Sequence, residues 1–286
     1  MEVFCSTGGF EDIPFYETGK LFSKLGINKI ELSAGVPSKD VVKQLTNLSQ
    51  DSDLMLHNYF PPPEIPFVLN LASRDEVVIK KSVEFFRTGI ELSADVGAKY
   101  YGVHAGFLSD ISVSEIGNLI NSRVLLNRDE GMEIFISNIN ALGNYASSRG
   151  VVLLIENNVL SKRNFAQNQA NPLLLADPDE IAQFFQLIRK DVKLLLDFGH
   201  LKVSSNTLCF DLSSAVSRIQ PWVGGYHLSE NHGELDDHLN FNANAWFFPY
   251  LDPRVDFATL EIKNSRPEDI YKTWKMTHEK VNAMIN

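Results

Sequence analysis

The sequence predicts an α/β fold, a (β/α)8 TIM barrel in a single domain spanning residues 1–286, and three observations carry that expectation. Short β-rich apolar runs alternate with helix-like segments along the whole chain. There are eight such runs. They are nearly continuous in apolar residues, as strands buried on both faces are. A length of 286 residues also fits one barrel, for which roughly 250 is typical.

In order, the first run is Val3–Ser6. Pro14 then stands where a helix start is expected, ahead of Phe15, Leu21, Phe22 and Leu25, and Gly26 ends that segment. Lys29–Ser33 and Leu54–Asn58 are the second and third strands. The stretch Glu76–Val96 carries Val77, Val83, Phe86, Ile90 and Leu92 near helical spacing, and Tyr100–His104 follows as strand four. Glu130–Ser148 reads as a helix through Ile134, Phe135, Ile139 and Leu142, before strand five at Val151–Glu156. Asp177-Pro178-Asp179-Glu180 supplies a cap, a proline and acids to a helix over Ile181–Arg189. Val192–Asp197, Gly224–Leu228 and Phe257–Ile262 complete the strands, and Arg266-Pro267-Glu268-Asp269 opens a last helix running to about Met284. Eight strand-then-helix units imply a parallel sheet closed on itself. Two connections, Gly106–Asn127 and Asn158–Asp177, are long enough to expect a functional role for them.

Composition narrows the function. Lys plus Arg number 26 against 36 Asp plus Glu, a net charge of −10, which disfavours a general nucleic-acid binder. Cys5 and Cys209 alone form neither a disulfide framework nor a cysteine zinc site. No signal peptide and no apolar span of about 18 residues is evident, so a cytoplasmic protein without a membrane partner is expected, as a monomer or homodimer.

The polar residues that interrupt the strands are not scattered. His57, His104, Glu156, Asp197, His227 and Glu261 close strands three to eight, each the first ionisable residue after an apolar run. In a barrel all strand carboxyl ends point to one face, so these six converge on one mouth. His200 follows Asp197 by three residues, and Asp236 and His238 are spaced D-x-H in the next loop. A lone His or Asp at a strand end ordinarily caps or satisfies the core; six consecutive strands ending this way call for another reason. Imidazole nitrogens and carboxylate oxygens are ligands for Zn²⁺, Mn²⁺ or Co²⁺. Without metal, four facing carboxylates repel and some must protonate.

These residues resemble the xylose isomerase-like superfamily, which includes endonuclease IV and sugar epimerases of the tagatose/psicose 3-epimerase type. The similarity covers the whole chain in strand order. It is most specific at Ile155-Glu156-Asn157, Leu196-Asp197-Phe198-Gly199-His200, His227-Leu228-Ser229-Glu230-Asn231 and Leu260-Glu261-Ile262. The resemblance implies that Glu156, Asp197, His227 and Glu261 bind metal, and in the epimerases the positions of Glu156 and Glu261 also move protons. It further implies, from the endonuclease IV branch, counterparts for all nine ligands of three zinc ions: His57, His104, Glu156, Asp197, His200, His227, Asp236, His238 and Glu261. The run 227–231 is epimerase-like, yet Gly233 stands where that branch has a substrate-binding arginine. Both branches carry a Gly-rich turn where this chain has Asn240-Phe241-Asn242-Ala243-Asn244-Ala245-Trp246.

The reading that follows is a divalent-metal isomerase or epimerase of a sugar or sugar phosphate, holding one to three ions. Glu156 and Glu261 would transfer the proton through an enediolate. The alternative is an endonuclease IV-like trinuclear zinc phosphoesterase. Lys162, Arg163, Tyr59 and Trp246 are the expected substrate contacts, two cations for a phosphate and two rings for a sugar face. Duplex DNA is an unlikely partner, because the mouth offers few cations: Lys162, Arg163, Lys202 and Lys263.

Overall fold

Each apolar run becomes a strand, and the eight strands close into one parallel barrel in chain order. The strands are β1 Glu2–Ser6, β2 Lys29–Leu32, β3 Asp53–His57, β4 Tyr100–His104, β5 Val152–Glu156, β6 Lys193–Asp197, β7 Val223–Leu228 and β8 Phe257–Leu260. The structure is a computed structural model that describes residues 1–33, 35–121 and 123–284. Ala34, in the loop after β2, and Ser122, in the Gly106–Asn127 connection, lie outside the described residues, as do 285–286. β8 stops one residue short of Glu261, which therefore heads the loop beyond it.

The helices follow their capping chemistry. α1 (Phe15–Leu25) begins after Pro14 and ends on Gly26, whose φ of 87° is the left-handed conformation glycine tolerates best. After α2 (Val41–Leu48), the Asp75 and Asn127 side chains cap α3 (Glu76–Asp95) and α4 (Arg128–Ser148). The connection Asn158–Asp177 contains a short helix, α5 (Lys162–Asn168). Asp177 caps α6 (Pro178–Leu187), which starts three residues before the expected Ile181 and ends two before Arg189. α7 (Phe198–Leu208), α8 (Leu212–Ile219) and α9 (Pro267–Ala283) complete the set among the described residues. None of the described helices is long and apolar enough to cross a membrane.

Strict strand–helix alternation fails between β7 and β8. That segment carries only a 3-10 turn at Phe248–Tyr250. Its asparagine-rich stretch 240–244 disfavours a helix, while Phe241, Phe247 and Phe248 fill the space one would occupy, Phe247 stacking 5.7 Å from Phe198.

Register then aligns the strand ends. His104 lies opposite Glu156, and Asp197 opposite His227. The second pairing depends on a register shift between Leu194 and Leu195, where β7 carries Gly224 as an extra residue. Met55, Leu154 and Leu195, each two residues before its strand's polar end, join Phe4 and Phe257 in a buried apolar cluster. It plugs the barrel directly beneath the polar layer and keeps water from reaching that layer from below.

Candidate metal centre

The nine residues read from the strand ends come together. Their ligand atoms fall into three groups, each within 4.8 Å: His57, His104 and Glu156; Glu156, Asp197, His227 and Glu261; His200, Asp236 and His238. Glu156 belongs to two of them. Its carboxylate is fully buried, with Oε2 2.9 Å from His57 Nε2 and 3.1 Å from His104 Nε2. Its Oε1 lies 3.0 Å from His227 Nδ1. Glu261 Oε2 approaches the same Nδ1 at 3.2 Å. In the third group Asp236 Oδ2 stands 2.8 Å from His238 Nε2 and 3.1 Å from His200 Nε2.

Local structure aims each side chain. Asp197 caps α7, its Oδ1 accepting from the His200 amide at 2.6 Å, which leaves Oδ2 toward the cluster. Asn157 ties the ends of β5 and β6: its Oδ1 accepts from the Asp197 amide, its Nδ2 donates to the Asp197 carbonyl, and its own carbonyl accepts from His200 Nδ1 at 2.7 Å. The loop bearing Asp236 and His238 is held by Lys202, which donates to Glu230 and to the Asn231 carbonyl. A two-way backbone bridge between Glu230 and Leu239 closes the same loop.

Charge balance takes a different course from the one expected of facing carboxylates. Burial opposes every charge here, yet His227 is pushed well above the ordinary histidine range by Glu31, Glu156 and Glu261. Burial is likewise outweighed at His200 by Asp197 and Asp236, and at His238, raised to about 9, by Glu261 and Asp236. The histidines hold Glu156, Asp236 and Glu261 low against burial. Asp197 alone of the four expected carboxylates rises, to about 6, chiefly from burial. Protons on imidazoles thus do what cations do in a metal site.

Orphaned polar atoms line the three groups. Glu156 Oε1, Asp197 Oδ2, His227 Nδ1, Asp236 Oδ1 and His238 Nδ1 are buried without a hydrogen-bond partner. Unsatisfied buried polar atoms of this kind are costly, and all five belong to the three groups. The residues fit divalent ions bound through nitrogen and oxygen.

The four expected substrate contacts lie outside the three ligand groups. Lys162 and Arg163 are exposed on the first turn of α5, a helix anchored through Asn164 to Asn118 and Ile120. Tyr59 stacks on Phe85 at 5.5 Å and its phenol oxygen accepts from the Phe67 amide, so the ring packs its own loop. Trp246 is half-buried and meets Phe198 edge-on at 5.5 Å, with Nε1 buried and unpartnered. Two further mouth cations are already engaged, Lys202 as described and Lys263 with Glu11 at 2.8 Å.

One participant escaped sequence reasoning. Glu31 on β2 is buried and its Oε2 lies 2.9 Å from His227 Nε2. Its signal in the sequence is a lone acid inside the apolar run Ile30-Glu31-Leu32, one position before the strand's apolar end rather than at it.

Comparison with known proteins gives this geometry a setting. A family model described as xylose isomerase-like TIM barrel matches residues 20–270. An uncharacterised protein of Methanocaldococcus jannaschii is 25% identical over 232 residues, covering 78% of this chain and 76% of that one. Among solved structures, a D-tagatose 3-epimerase-like protein superposes with TM-score 0.74 at 19% identity, over 100% of both chains. The 3-keto-D-glucoside 4-epimerase of E. coli gives 0.68 at 13% identity, over 99% of each. A protein of Thermus thermophilus soaked with zinc chloride gives 0.64 at 18% identity, covering 98% of this chain and 99% of that one. At such identities these likenesses establish the fold.

Proposed function

The chain belongs to the xylose isomerase-like TIM barrel family, and from that premise we propose that it is a divalent-metal enzyme hydrolysing a phosphate ester of a sugar or similarly small polyol. The observation that carries the reading is the division of nine ligands into three groups, two of which share Glu156. From the residues alone, isomerisation ranks first, and the likeness to sugar epimerases agrees with it; our reading puts hydrolysis ahead on the surroundings of Glu156. Both its oxygens face histidines, so with metal bound it would serve as a ligand common to two groups rather than as the base for a substrate C–H.

Zinc, manganese or cobalt held by these residues would supply Lewis acidity toward the ester and lower the pKa of water. The chain's own side chains do the rest. Glu261, 12% exposed, has one oxygen toward the histidines and the other available to take the proton of an attacking water. His104, 34% exposed, is the ligand residue most open to an incoming substrate. The apolar plug beneath keeps the reacting layer dry. An exposed Cys209 thiol suits the reducing cytoplasm, where we place the protein.

Isomerisation or epimerisation remains the second reading. The four-residue group of Glu156, Asp197, His227 and Glu261 favours it, since that group alone suffices for one ion. Elemental analysis of protein purified without chelator, followed by a substrate panel, separates the two. The expected result is three ions per chain and phosphate release from a sugar phosphate, falling by at least about 100-fold in Glu261→Gln. An abasic-site duplex should stay uncut, since a net charge of −10 and a mouth with two of its cations engaged release few counterions. One ion per chain with solvent proton exchange at a ketose carbon would overturn hydrolysis in favour of isomerisation.

A further inference from the structure

We propose that Glu31 is a positioning residue that fixes the ring of His227 so that Nδ1 faces the Glu156–Asp197–Glu261 group, an inference that rests on the metal reading above. None of the three ligand groups includes Glu31. Its side chain is 1% exposed and His227 is fully buried, so their 2.9 Å contact is dry. The contact is not local. β2 and β7 are separated around the barrel by β1 and β8, and the carboxylate reaches His227 through the interior. Thr259, beside His227 in register, donates to the same Oε2 at 3.2 Å and fixes the carboxylate in place.

With Nε2 donating to Glu31, the remaining nitrogen of the neutral ring is a lone pair at Nδ1. That atom is buried and unpartnered by any hydrogen bond. It stands 3.0 Å from Glu156, 3.2 Å from Glu261 and 3.8 Å from Asp197. Two of the other rings, His200 and His57, have neutral groups at their second nitrogen. His200 Nδ1 donates to the Asn157 carbonyl, and His57 Nδ1 lies 3.5 Å from Ser33 Oγ. A carboxylate behind an imidazole selects its tautomer and makes it a stronger ligand. Glu31 therefore concentrates cation affinity at the group that contains both Glu156 and Glu261.

Zinc-loaded protein labelled with 15N-histidine tests this, with zinc affinity measured by chelator competition alongside. In wild type, the His227 spectrum should show zinc at Nδ1 and a protected proton at Nε2. Glu31→Gln keeps an acceptor oxygen, so the Nε2 proton should persist while zinc binds about 10-fold more weakly. Glu31→Leu removes the acceptor, so the protected proton should vanish and affinity should fall by about 10- to 100-fold. Should the leucine variant not fold, the glutamine variant decides alone. Variants that bind zinc as wild type does, or zinc at Nε2, would overturn the assignment and leave the metal reading standing. Wild type that takes up no zinc would overturn the metal reading and this inference with it.

Discussion

Gly102 shows how a single missing Cβ builds part of the centre. It faces His57 in the β3–β4 register, and a Cβ there would stand 2.6 Å from His57 Cδ2 and 3.1 Å from a Leu195 methyl. The imidazole occupies space that any other residue would fill. Gly102→Ala should therefore push His57 away from Glu156, at about 1–3 kcal/mol of overpacking. The barrel remains folded, because strand pairing is untouched. Metal content should fall by one ion per chain by elemental analysis, and an unchanged content would show that His57 is no ligand. Glu156 is similarly crowded: its two oxygens lie within 3.1 Å of three imidazole nitrogens.

At the scale of elements, the connection 106–127 is organised around one carboxylate. Glu115 accepts from the Ser112 amide and hydroxyl at 2.7 and 2.8 Å, and from the Asn121 amide and side chain at 2.8 and 3.0 Å. Arg123 Nη2 adds a contact at 2.6 Å. The backbone N–H groups of Ser112 and Asn121 are the main reason its pKa falls from 4.5 to about 2. A depressed folded-state pKa contributes stability that is complete above about 4.5 and is lost as pH falls toward about 2. The loop should thus loosen between those values while the barrel persists. Hydrogen exchange at the Ser112 and Asn121 amides, corrected for intrinsic rate, should accelerate across that window in wild type. In Glu115→Gln it should be fast at both ends. Exchange in wild type that ignores pH would remove Glu115 from the loop's support.

For the whole molecule, metal and stability are linked. An ion that binds only the native state adds about 2.7 kcal/mol at a hundred times its Kd. In a chain of this size each kcal/mol moves the melting midpoint by roughly 2–4 °C. Chelation with EDTA should then lower the midpoint by about 5–10 °C for each ion removed. Identical midpoints with and without EDTA would count against a structured metal site. Loading should also release protons, because His200, His227 and His238 carry raised pKa values in the metal-free cluster.

The barrel and the membership of its polar layer were legible in the residues alone. Strands buried on both faces are written as unbroken apolar runs, so an ionisable residue at the end of one stands out. Parallel closure then brings all such ends to one face. His57, His104, Glu156, Asp197, His227 and Glu261 stand out in this way from position alone. Position does not reach quantities that depend on register and closure. The division into three groups depends on which strand ends oppose one another, including the β6–β7 shift that sets His227 against Asp197. Glu31 finds His227 across 196 positions of sequence, through an interior that exists only once the barrel closes. The surface placement of Lys162 and Arg163, and the packing of Tyr59 on Phe85, follow from how loops lie on their neighbours. So does the absence of a helix between β7 and β8, where aromatic packing prevails over alternation. Local sequence determined which side chains are offered to the mouth, because burial pattern is local; tertiary closure decided which of them bond, because side-chain partners in a barrel come from distant strands.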